Sequence, residues 1–306
     1  MDEYTTQKIK DLLGTQVLKK TGFTAGGCIN EGEGYETDNG IVFIKKNSSS
    51  HAEQMFNSEI SSLRELEKTQ TIRVPHPIGV VEGSKKIFYC VLEFVEIKSL
   101  RKFTSALGER LADLHLHNEN VAKNDASIEY IDKFGFPIPT CVGLLPVDNT
   151  WSDDWPAFYT RRLEEQVTRL RSKTKDYQEA EQLWQELKPL MGKFFENIVI
   201  KPSLLHGDLW GGNVGETDAE PIIFDPGSVY GHHEFDLAMT TMFGRLGQKF
   251  YDAYHSKIPK APGFATREKL YHLFHALNHW NHFGGGYRSQ SISLMKSLIR
   301  TKFPLK

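Results

Sequence analysis

The chain has 306 residues, 39% apolar and 25% charged, with a formal charge of −2 at neutral pH. This is the composition of an ordinary globular protein, long enough for two compact lobes around a cleft or for one large domain. The near-neutral balance lacks the basic footprint that nucleic-acid binding leaves, which argues against nucleic acid as a partner. Cys28, Cys90 and Cys141 are sparse, odd in number and without metal-ligand spacing, as expected of free thiols in a reducing compartment. Met1-Asp2-Glu3-Tyr4 lacks the layout of a secretory signal. No run approaches the roughly 18 apolar residues of a membrane span. The expected location is therefore cytoplasmic, with no membrane association.

In chain order, residues 5–13 read as a short helix and 22–46 as a hairpin. The hairpin has a Gly-rich turn near Gly26-Gly27, and Asp38-Asn39-Gly40 leads into Ile41-Val42-Phe43-Ile44-Lys45. Strand alternation puts Ile41, Phe43 and Lys45 on one face and Lys46 on the other. From His51 to Lys68, Met55, Phe56, Ile60, Leu63 and Leu66 recur at helical spacing, with Glu59 among them. Pro75 and Pro77 are expected to break the pattern before a buried strand at 87–92. Beyond Glu93 the chain turns mainly helical, most clearly at 105–117, 157–170 and 176–196. A hairpin at 204–225 interrupts this, and helices resume near 234. The expectation is an α+β, bilobal protein: a β-rich lobe over residues 1–95 and a mainly helical lobe over 96–306, with a hinge at 93–97.

The most informative stretch is His206-Gly207-Asp208-Leu209-Trp210-Gly211-Gly212-Asn213, followed by the apolar run Pro221-Ile222-Ile223-Phe224 and then Asp225. It matches the H-x-D-L-x-x-x-N spacing of protein-kinase catalytic loops, with Asp225-Pro226-Gly227 where those enzymes carry Asp-Phe-Gly. In that chemistry the first Asp accepts a proton from a substrate hydroxyl, and the Asn and second Asp hold Mg2+ beside the nucleotide phosphates. Asp208 is thus the candidate catalytic residue, and Asn213 and Asp225 the candidate metal ligands. Lys45, paired with Glu59 on the next helix, is the candidate phosphate-binding ammonium. Glu93, Phe94 and Val95 follow the buried strand, where backbone groups can read an adenine edge. Gly26, Gly27 and Cys28 either fold over the phosphates or form an ordinary tight turn. Cys28 there is either a reactive thiol or a small residue filling that turn. Trp210 stands close to the acceptor, either stacking on a sugar face or packing in the core. His279, in Asn278-His279-Trp280-Asn281-His282, belongs to a buried satisfied pair with His282 or to the substrate pocket, with no carboxylate or cysteine to complete a metal site.

Beyond the loop, the chain resembles the fructosamine-3-kinase / ketosamine-3-kinase family, which has a protein-kinase-like fold and is related to aminoglycoside phosphotransferases and choline kinases. The resemblance runs nearly end to end. It is carried by Gly26-Gly27-Cys28-Ile29, Tyr35-Glu36-Thr37-Asp38, Val42-Phe43-Ile44-Lys45, Lys133-Phe134-Gly135-Phe136 and Asp153-Asp154-Trp155-Pro156. The most specific segments are Leu205 to Trp210, Lys257 to Phe264, and Asn278 to Phe283. Gly227 stands where relatives usually carry Ala, and Cys141 is single where many have a pair. The resemblance implies ATP-dependent phosphorylation of the sugar 3-hydroxyl of ketosamines on glycated protein lysines, followed by spontaneous deglycation, hence protein repair. Gly211-Gly212 and Phe283-Gly284-Gly285-Gly286-Tyr287 are similar to the branch preferring ribulosamines and psicosamines over fructosamines. Two other readings stand beside this one. A kinase of aminoglycosides or small amino alcohols calls for a strongly acidic acceptor pocket. A redox-sensing nucleotide-binding scaffold, with Cys28 as the sensor, calls for a missing catalytic residue. The chain is expected to be a monomer, or a redox-dependent homodimer if Cys28 of two chains meets.

Overall fold

The computed structural model describes residues 1–26, 31–124, 130–173, 175 and 177–303. The chain opens with α1 (Glu3–Leu13), capped by the Asp2 carboxylate, which accepts the Thr5 N–H at 2.8 Å. Next come β1 (Lys19–Gly26), β2 (Glu31–Thr37), β3 (Gly40–Asn47), α2 (Ala52–Lys68), β4 (Pro77–Glu82) and β5 (Phe88–Glu93). The strands form one antiparallel sheet in the order β1-β2-β3-β5-β4. The hairpin expected over 22–46 is therefore three strands, with Asp38-Asn39 turning β2 into β3. Gly26 ends β1, whereas Gly27 and Cys28 lie outside the described residues. The helical pattern ends with α2 at Lys68, ahead of Pro75 and Pro77 as expected; the unexpected element is the edge strand β4 that Pro77 opens, an edge position losing no ladder bond for want of an N–H.

The remaining chain carries α3 (Thr104–Asn124), the short pair β6 (Thr140–Val142) and β7 (Leu145–Val147), α4 (Trp155–Lys173) and α5 (Tyr177–Leu187). It continues through β8 (Ser203–Leu205), β9 (Val214–Glu216), β10 (Pro221–Ile223), β11 (Val229–Gly231), α6 (Glu234–Met242), α7 (Gln248–Lys257), α8 (Phe264–Phe283) and α9 (Arg288–Ile299). The helix expected over 176–196 ends early. Residues after Leu187 tighten into a 3-10 segment, Lys188–Phe195, with Pro189 at its start, where a missing N–H and a fixed φ break the α-ladder. The whole is the α+β, protein-kinase-like plan that the sequence suggests. No helix among the described residues is long and apolar enough to cross a membrane.

α2 binds these two parts together. Its Phe56, Leu63 and Leu66 are wholly buried in a cluster holding Cys90 and Leu92 from the sheet and Leu107, Leu111, Phe136 and Leu204 from the helical part. Burying each such side chain contributes about 1.5–3 kcal/mol, so the cleft is built on a shared core.

Two nested hairpins set up the cleft. β8 pairs with β11, Leu205 opposite Val229, and inside them β9 pairs with β10, Val214 opposite Ile223. Residues 206–213 and 224–228 connect the outer pair to the inner one and so run side by side.

Below the cleft, α6 and α8 are joined by an ion pair with both partners 1% exposed. Arg267 Nε and Nη2 donate to Glu234 Oε2 and Oε1 at 2.8 and 2.7 Å. Removing one partner of such a pair leaves the other buried and uncompensated, at a cost of about 3–5 kcal/mol. Arg267→Met is expected to lower stability by that order, read as a fall in the urea midpoint of unfolding.

Candidate active site

The segments 206–213 and 224–228 are laced by backbone bonds. Phe224 N–H donates to the Asn213 carbonyl at 3.1 Å and Gly227 N–H to the His206 carbonyl at 3.0 Å. Gly207 has φ +87°, and a Cβ there would run into the Gly227 carbonyl, so only glycine fits. Burial lowers the His206 pKa, which keeps the imidazole neutral. Its Nε2–H donates to the Phe224 carbonyl at 2.9 Å, and Nδ1 accepts the Asp208 N–H at 3.2 Å. His206 thus joins the backbone of Asp208 to the residue preceding Asp225.

A residue that the sequence reading missed holds this loop from below. Asp236, on α6 and fully buried, accepts the N–H groups of His206 and Gly207 at 2.7 and 2.8 Å. Burial alone would raise its pKa, but His115 and the amide donors hold it below the ordinary carboxylate value. His115 Nε2 lies 3.3 Å from Asp236, and its Nδ1 is 2.7 Å from the Tyr254 hydroxyl. No local pattern marks Asp236, because its partners lie about 30 residues away.

Lys45 on β3 and Glu59 on α2 meet as the sequence suggests. Nζ donates to Glu59 Oε1 at 2.5 Å and also to Asp225 Oδ1, and both Lys45 and Glu59 are buried. Burial opposes the ammonium, yet the Asp225 and Glu59 carboxylates outweigh it and hold Lys45 above its ordinary value. Asp225 is a non-glycine residue at φ +58°. A conformation of this kind costs on the order of 1–3 kcal/mol and persists where the surroundings impose it. Its side chain is 47% exposed, presenting the carboxylate to the cleft.

Asp208 stands across from it, half-buried. Burial, then the negative charges of Asp225 and Asp236, push its carboxyl up to about 7. Asn213 donates its Nδ2–H to the Asp208 carbonyl at 2.8 Å, which turns the amide oxygen away from that contact. With the Asp225 carboxylate this makes a donor set of oxygens only, the kind that a hard divalent cation such as magnesium takes.

Trp210, 37% exposed, begins a run of aromatic rings leading away from Asp208. It meets Phe243 edge-on at 5.7 Å; Phe243 meets His279 at 5.0 Å, and His279 lies 5.8 Å from Phe283 and 4.9 Å from Tyr287. His279 and His282, both on α8, do not converge as a metal pair. His279 Nδ1–H donates to the His275 carbonyl at 2.6 Å and His282 Nδ1–H to the Asn278 carbonyl at 2.8 Å, while His282 Nε2 accepts the Leu144 N–H at 2.9 Å. At the junction of the two parts, the Glu93 side chain is occupied structurally: it pairs with Arg73 and accepts the His76 N–H at 2.9 Å. Phe94 packs edge-on against Phe23 at 5.1 Å, and Val95 is half-buried beside it.

Comparison with known proteins agrees with this geometry. The fructosamine kinase family model matches residues 1–301. The chain is 45% identical to a mouse (Mus musculus) ketosamine-3-kinase, over 95% of this chain and 99% of that one. It is 39% identical to a chloroplastic protein-ribulosamine 3-kinase of Arabidopsis thaliana, over 92% and 83%. A crystal structure of a putative fructosamine-3-kinase from Thermobifida fusca superposes with a TM-score of 0.78 at 25% identity, covering 96% and 98%. The protein is a phosphotransferase, and the chain belongs to the fructosamine kinase family.

Proposed function

We propose that the protein transfers the γ-phosphoryl group of ATP to the sugar 3-hydroxyl of ketosamines carried on protein lysines, ribulosamines and psicosamines foremost. The observation that carries this reading is the convergence of Lys45, Glu59, Asp208, Asn213 and Asp225 on one cleft, with Trp210 opening an aromatic wall beside the candidate base. The relatives named ketosamine-3-kinase and protein-ribulosamine 3-kinase supply the acceptor class.

In this reading residues 1–95 serve as the nucleotide lobe and 96–306 as the catalytic and acceptor lobe. Lys45, steadied by Glu59, meets the α- and β-phosphates, and backbone groups of Glu93 to Val95 face the adenine. Gly26, at the end of β1, belongs to the nucleotide side. Asn213 and Asp225 hold a magnesium ion, which supplies charge neutralisation of the phosphates when bound. Asp208 accepts the proton of the 3-hydroxyl as its oxygen forms the bond to phosphorus and the bond to ADP breaks. Much of its effect is orientation: holding the hydroxyl in line for attack removes an entropic part of the barrier. Trp210 and His279 line the acceptor side. The exposed rings of Trp210, Phe243 and Phe283 suit a sugar bearing one ammonium. An aromatic face attracts a single ammonium by about 0.5–2 kcal/mol.

The product explains the biological use. With phosphate on C3 and a carbonyl at C2, loss of a C1 proton forms the C1–C2 double bond and then expels phosphate from C3. Water hydrolyses the resulting imine, releasing the lysine amine and a deoxy-dicarbonyl. Phosphorylation thus leads to deglycation without a second enzyme, which is protein repair in the cytoplasm.

Three outcomes test this assignment. Asp208→Asn is expected to lower kcat by about 10²–10⁴-fold in a coupled ADP-release assay on ribulosyl-lysine, with MgATP affinity retained. Unchanged turnover would remove Asp208 from the reaction. Chelation with excess EDTA is expected to abolish turnover and added magnesium to restore it; activity surviving the chelator would remove the metal from the scheme. Trp210→Ala is expected to raise the acceptor KM by about 5–30-fold, a cation–π contact plus lost burial, while the ATP KM stays within about twofold of wild type.

A further inference from the structure

In a kinase the helix carrying the lysine's glutamate must be in place before the nucleotide is gripped. Here the polar stripe of that helix is bonded to the helical part of the chain. Ser58 and Ser62, one turn apart on α2, are both buried. Ser58 Oγ accepts the N–H of Cys141 on β6 at 2.9 Å, and Ser62 Oγ accepts the N–H of Ser228 at 3.0 Å. Glu65 continues the stripe, its Oε1 accepting the Tyr230 hydroxyl at 2.9 Å. Ser228 lies three residues beyond Asp225, and Glu59 directly follows Ser58. The same short stretch of α2 therefore touches the Lys45 partner on one side and the anchor of the Asp225 loop on the other.

The far end of the first tie is fixed as well. The β6–β7 turn is held by Leu144 N–H donating to His282 Nε2 at 2.9 Å and by Asn278 Nδ2–H donating to the Val142 carbonyl at 3.3 Å. A Cβ on Gly227 would fall on the Cys141 carbonyl, so this hairpin also presses on the loop that follows Asp225.

We infer that Ser58 and Ser62 are positioning residues for phosphoryl transfer: they register α2 against the Asp225 loop, so that Glu59 and Asp225 bracket Lys45 before the nucleotide arrives. Neither serine touches the cleft. Each gives a buried backbone N–H its acceptor, and a buried donor left without one is costly. α2 is accordingly a fixed part of the catalytic frame here, not a helix that swings in to switch the enzyme on.

The inference rests on the nucleotide role proposed for Lys45 and Glu59, and a double-mutant cycle tests the two separately. MgADP affinity is measured by titration calorimetry for wild type, Ser58→Ala/Ser62→Ala, Glu59→Gln and the combination. The paired serine change removes two buried bonds and is expected to weaken MgADP by about tenfold, and to add nothing in the Glu59→Gln background. Equal weakening in both backgrounds would make the serines merely structural and overturn the inference, as would no weakening in either. Glu59→Gln binding MgADP as tightly as wild type would instead contradict the nucleotide role of the ion pair itself. Ser62→Ala alone carries the same cycle if the paired variant does not fold.

Discussion

One buried ammonium shared by two carboxylates organises the cleft. Lys45 comes from the sheet, Glu59 from α2 and Asp225 from the loop after β10, so a single side chain ties three separate stretches of chain. The Glu59 carboxylate alone would resist burial, whereas Asp225 stays half exposed. Together they keep the lysine charged in a place where burial by itself would favour losing the proton. Asp225 sits at positive φ, and the loop holds it there because bonds of Gly227, His206 and Phe224 fix the backbone on either side. The strained residue is the one that faces the cleft.

From that point the site is held in layers. The nested hairpins bring residues 206–213 beside 224–228, and the neutral imidazole of His206 bonds both. Asp236 then fixes the start of the loop from below through two short amide bonds, with His115 and Tyr254 behind it. Asp208 needs no bond to a partner base in this arrangement. Its backbone is set by His206 and Asn213, and the Asn213 amide also reaches one of its carboxylate oxygens at 3.5 Å.

Much of the candidate site was legible in the sequence because its residues are spaced locally. Asp208 and Asn213 share one loop, Asp225 follows one short strand, and Lys45 and Glu59 occupy a strand and the next helix. What escaped the sequence reading acts over long separations through side chain–backbone bonds. Ser58 reaches Cys141, Ser62 reaches Ser228, and Asp236 reaches His206; serines and aspartates with such roles look like any others on a helix. The fold shows the same division. Periodicity locates α2 and β5, but Pro77 hides an edge strand and Pro189 stops a helix whose apolar pattern runs on. The aromatic wall was half visible, through Trp210 and His279, while Phe243, Phe283 and Tyr287 join it only through the packing of α6, α8 and the turn before α9.

The central claim, that phosphate is placed on the sugar 3-oxygen of a ketosamine, is tested most directly by nuclear magnetic resonance of the product. Ribulosyl-lysine labelled with 13C in the sugar is incubated with MgATP and the enzyme, and the 13C–31P couplings are read before the adduct decays. The account predicts phosphorus coupling at C3, followed by release of inorganic phosphate and free lysine on the same sample. A coupling pattern centred on a carbon other than C3, in place of C3 flanked by its three-bond neighbours C2 and C4, or an ADP yield with no phosphosugar formed, would contradict it.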